Sequence, residues 1–87
     1  MLNIFHVSCT IQKCDKFTDG TTIVTYDSIL VVYARDEEHV RKLIMDWIDW
    51  DKSAKIETKK IDNTGLITEI GETVMMAYSN IISKKPA

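Results

Sequence analysis

The sequence predicts an α+β domain, a two-layer sandwich in which a β-hairpin starts an antiparallel sheet, with elements in the order β-β-α-β-(β)-α. Three observations carry that prediction. Alternating apolar stretches flank Asp19-Gly20, an amphipathic helical arc follows Asp36, and a second helical arc follows Thr73. The 87 residues leave room for one domain, 1–87, around one core.

The hairpin comes first. From Leu2 to Ile11 the chain alternates: Phe5, Val7, Cys9 and Ile11 point one way, Ile4, His6, Ser8 and Thr10 the other. Asp19-Gly20 is a tight-turn signal, because both residues tolerate positive φ. Thr21 to Arg35 is then rich in β-branched and aromatic residues. With Asp19-Gly20 as the turn, Thr18 faces Thr21, and counting outward sets Cys9 opposite Leu30, Val7 opposite Val32 and Phe5 opposite Ala34. All six outer residues then share one apolar face.

Asp36 is a good helix N-cap, and Glu37 and Glu38 suit the positive end of the helix dipole. On a helical wheel Trp50, Leu43, Trp47, Val40, Ile44 and Ile48 form one arc, with Asp36 and Asp51 marking its ends. Lys55 to Ile61 reads as a strand, Asp62-Asn63-Thr64-Gly65 as a turn, and Leu66 to Ile70 as a short return strand. Thr73 caps a last helix, whose arc is Ala77, Ile81, Val74, Tyr78, Ile82 and Met75 and which Pro86 stops. A strand is the alternative there, since Thr73 to Tyr78 has fair β propensity.

Composition narrows the function. Lys+Arg total 11 against Asp+Glu 13, a net charge of −2, so broad binding to a phosphate backbone is not expected. The lysines at 55, 59 and 60 read as solubilising edge charge, and a nucleic-acid module built on them is only a third reading. Gly20, Gly65 and Gly71 are too dispersed for a phosphate-cradling loop. No apolar run approaches the length of a membrane span, and MLNIFHVSCT lacks the basic start of a signal peptide. The expected location is therefore the cytoplasm, with Cys9 and Cys14 as reduced thiols; in an exported chain a Cys9–Cys14 disulfide is the alternative.

Catalytic chemistry finds no complete constellation. His6, Cys9 and Cys14, with His39, lack paired metal-ligand spacing, and His6 and Cys9 diverge on one strand. Cys14 with His39 has no orienting group or oxyanion hole beside it. Asp46 and Asp49 are neighbours on the outer side of the helix without a facing carboxylate motif. The expectation is no enzyme, no metal and no cofactor.

The run from Ile29 to Ile44, ILVVYARDEEHVRKLI, resembles the strand-to-helix junction of small phage and mobile-element proteins, anti-CRISPR proteins among them. That resemblance implies a small viral protein acting in the host cytoplasm by binding, and it carries no functional residue. The second hairpin face supplies a candidate partner surface: Ile4, His6, Ile29, Val31 and Tyr33. Trp50, rimmed by Asp46 and Asp49, is a second candidate anchor. The expected function is a non-enzymatic interaction protein, an inhibitor of a host protein or nuclease complex. A homodimer packed sheet to sheet through the second face is also expected. The alternative is an oligomer that sequesters a small molecule such as a nucleotide signal, using Arg35 and Lys60.

Overall fold

The computed structural model describes residues 2–17, 20–49, 54–67 and 71–86. Strand β1 (Leu2–Phe17) pairs antiparallel with β2 (Gly20–Ala34), then helix α1 (Glu37–Ile48) precedes β3 (Ala54–Ile67) and β4 (Thr73–Pro86). The sheet order is β3-β1-β2-β4, antiparallel throughout. The hairpin thus occupies the centre, and the second half of the chain supplies both edges.

The predicted faces are correct and the predicted register is not. Val7 pairs with Leu30, Phe5 with Val32 and Cys9 with Ser28. The loop is bracketed by Phe17 and Gly20, one residue earlier than Asp19-Gly20 would place it. Moving a two-residue loop by one residue shifts the pairing by two, and a shift of two keeps every side chain on its face. Gly20 itself has φ 146°, a conformation that favours glycine. Thr18 and Asp19 lie outside the described residues.

Asp36 caps α1 as expected: its carboxylate accepts the His39 N–H at 2.8 Å. The helix lays Val40, Ile44 and Ile48 on Phe5, Val7, Cys9, Ile11, Leu30, Val32 and Ala34. Burying such a side chain stabilises the fold by about 1.5–3 kcal/mol. Trp50 and Asp51, the expected end of this element, are outside the described residues.

The α+β sandwich with two helices is overturned. The chain forms a small β-rich domain with a single described helix, because residues 73–86 are strand β4. Two physical causes made that strand look helical. Its register against β2 shifts between Thr25/Tyr26 and between Ile29/Leu30, leaving Ile82 and Ala77 as bulged residues that break the period of two. Tertiary pairing also wins: β2 needs a partner on its free edge, and α1 already covers the core face. The same effect hid β3, which runs unbroken from Ala54 to Ile67 where a turn and a return strand were expected. Its bulges fall at Lys59 and Thr64. The Thr64 hydroxyl donates to the Ile4 carbonyl at 3.0 Å, and the Gly65 N–H donates to Asn63 Oδ1 at 3.2 Å, so the supposed turn residues fasten a bulge instead.

Strands of this length reach about 50 Å, and the molecule measures 49 × 21 × 19 Å. The helix covers about 18 Å of that length.

Candidate functional site

Since α1 lies on one face of the sheet, the other face has no described element across it. The pairing registers define what that face carries. One cross-sheet row reads Asp62–His6–Val31–Met75 from β3 to β4, and the next reads Lys60–Ser8–Ile29–Tyr78. Ile4 and Tyr33 are directly paired on the adjacent rung. The open face therefore grades from charge on β3 to apolar and aromatic side chains on β4. Ile29, Met75 and Tyr78 are 39%, 43% and 50% exposed, which is high for large apolar groups.

Five residues expected as a partner surface, Ile4, His6, Ile29, Val31 and Tyr33, are thus brought together on three successive rungs. Asp46 on α1 and Asp49 at its C-cap are exposed on the opposite side of the sheet and do not join them. Trp50 lies outside the described residues. Met75 and Tyr78 extend the surface, and sequence reasoning missed them because the helical reading of their segment detached them from the sheet.

On the charged side, Lys60 reaches Asp62 at 3.7 Å and Lys59 reaches Asp27 at 3.9 Å. All four partners are half exposed or more, so each pair contributes little to stability. Arg35 lies beyond the Ala34 end of β2, whereas Lys60 is on the Ser8 rung, so the two do not form one anion site.

The remaining candidates are dispersed. Cys9 is fully buried on the helix side, while Cys14 is exposed on the same strand; both are free. Burial pushes the Cys9 thiol up to about 11, with Asp27 adding to the effect and Lys59 opposing it. Among the described residues no three His, Cys, Asp or Glu side chains are grouped to hold a metal ion. No described helix is long and apolar enough to cross a membrane.

Two further features stand on the helix side. At the C-terminal end of α1 a pocket of about 300 Å³ is lined by Ile11, Tyr26, Trp47, Ile48 and Met76 among others. At the other end, buried His39 is held between the Arg35 backbone N–H and the Glu72 carboxylate. Sequence reasoning weighed His39 only as a ligand or base; its partner Glu72 becomes visible only once β4 is a strand beside β2.

No protein-family model, curated protein or solved structure matches the chain.

Proposed function

We propose that the protein works by binding another protein through the open sheet face rather than by catalysis. The observation that carries this reading is the run of apolar side chains, Ile4, Val31, Ile29, Met75 and Tyr78, set beside the charged residues of β3 on a face with no described element over it. A fitting partner presents an apolar patch flanked by charges of both signs, in register with Asp62, Lys60 and Glu57. Within this reading the protein is an inhibitor of a host protein or nuclease complex, carried by a phage or mobile element and acting in the host cytoplasm. The strand-to-helix resemblance supports that narrower form.

The test is comparative capture from a bacterial lysate with wild-type protein and Val31→Lys. Val31 is only partly buried, so the variant should keep its fold, which circular dichroism checks. A partner retained by wild type and lost by Val31→Lys supports the reading. Identical capture by both removes it.

A second reading, sequestration of a small molecule such as a nucleotide signal, rests on the pocket. Its volume is at the lower bound for ligand sites, and Tyr26 and Trp47 offer stacking surface. Native mass spectrometry of the freshly purified protein decides it: added mass supports sequestration, and a bare chain overturns it.

A further inference from the structure

Strand β4 is an edge that the monomer leaves unfinished. None of its described side chains is buried, and Met75, Met76, Tyr78, Ile81 and Ile82 are each between 43% and 54% exposed. From Thr73 to Ser83 it carries no charged residue. The opposite edge, β3, is interrupted by Lys55, Glu57, Lys59, Lys60 and Asp62, the kind of charge that blocks a strand from pairing with another chain. The two edges of one sheet are therefore chemically unlike: charge interrupts β3 along its length, whereas on β4 it is confined to Lys84 and Lys85 at the C-terminal end.

The surface area agrees. A folded monomer of this mass is expected to expose about 5,200 Å², and the chain exposes 5952 Å² at 10.0 kDa. The excess, about 700 Å², is close to what one partner gives up in a standard interface of about 800 Å² per side. The radius of gyration, 14.4 Å, also exceeds the roughly 12 Å expected for this length.

We propose that β4 pairs antiparallel with β4 of a second copy, joining the two sheets into one of eight strands. A two-fold that makes a strand its own antiparallel neighbour must stand normal to the sheet, so both helices fall on the same side. With the axis at Ser79, Tyr78 of one copy lies beside Asn80 of the other and Met75 beside Ser83 on the open side, and Met76 comes level with Ile82 of the other copy. The bulges do not block this arrangement. An axis at Ser79 or Asn80 brings the bulge at Ala77 of one copy level, to within one residue, with the bulge at Ile82 of the other. The two edges bend at matching heights. This pairing leaves the open faces uncovered and does not depend on the partner-binding reading.

The test is light-scattering mass in solution for wild type, Val31→Lys and the double variant Tyr78→Lys/Ile82→Lys. The expected result is a wild-type mass twice the 10.0 kDa chain, kept by Val31→Lys and halved by the double variant. A wild-type monomer at every concentration overturns the proposal. So does a dimer that Val31→Lys splits and the double variant does not, which would place the contact sheet to sheet. Hydrogen exchange on wild type guards against a misfolded variant. Those amides among Ser79, Asn80 and Ile81 that point away from β2 should lose protection on dilution, and protection independent of concentration counts against edge pairing.

Discussion

His39 Nε2 lies 2.9 Å from Glu72 Oε2 while His39 Nδ1 accepts the Arg35 backbone N–H at 3.0 Å. An Nδ1 that accepts is unprotonated, so the ring proton sits on Nε2 and is donated to the carboxylate. The imidazole thereby ties three places together: the end of β2, the first turn of α1 and the residue before β4. Both ring nitrogens are engaged, which leaves no free nitrogen to act as a base.

The two partners should differ in cost. His39→Ala strands a backbone N–H in a site where the side chain is 7% exposed, and the expected loss is about 1–3 kcal/mol. Glu72 is 58% exposed, so Glu72→Ala should cost less than about 1 kcal/mol. Urea unfolding of both variants checks this, and equal losses would contradict the asymmetry.

The two thiols should react unequally. Cys14 is exposed and should be alkylated in the native protein, whereas Cys9 should label only on unfolding. The thiol pKa of Cys9 is raised by folding, from 9.0 to about 11. Its neutral form is therefore favoured in the native state. That contribution is fully present below the unfolded value and is lost as pH climbs towards the folded one, since only the unfolded chain has then released the proton. Melting temperatures should accordingly fall across that alkaline window in wild type and fall less in Cys9→Ala.

Removing the helix cap should be measurable without touching the core. Asp36→Ala deletes the acceptor of the His39 N–H and should cost about 1 kcal/mol. Asp36→Asn should recover most of it. Thermal unfolding of the pair separates capping from charge.

Gly20 should resist substitution although nothing crowds it. A Cβ there meets no atom within 4 Å, so the cost of Gly20→Ala comes from φ 146° alone, about 1–3 kcal/mol. Gly71 has equal space and no positive φ, and Gly71→Ala should be close to neutral.

The central hairpin faces and the capped helix were legible because their periods are unbroken. Phe5, Val7, Leu30 and Val32 alternate, and Val40, Ile44 and Ile48 recur at helical spacing. The register slipped by two because alternation cannot distinguish shifts that preserve the face. The edges were illegible for a different reason. An extra residue at Lys59, Thr64, Ala77 and Ile82 resets the alternation within each strand, and spacing read across a bulge imitates a helix or a turn. The candidate surface inherits that division: Ile4, His6, Ile29, Val31 and Tyr33 on the hairpin were readable, and Met75 and Tyr78 on β4 were not.

Every buried side chain among the described residues lies between Phe5 and Ile48. Most of the hydrophobic driving force thus resides in the first half of the chain, and β3 and β4 take the opposite flanks. During synthesis β1, β2 and α1 leave the ribosome before either flank, while Ala54, Ile56 and Ile61 of β3 and Val74 of β4, which pack against their core, are still to come. β2 waits longest: its partner on β4 is separated from it by the helix and the whole of β3. Until β4 arrives, the backbone edge of β2 beside Leu30 and Val32 is open to any passing strand, and the speed of that last addition governs how safely the chain folds.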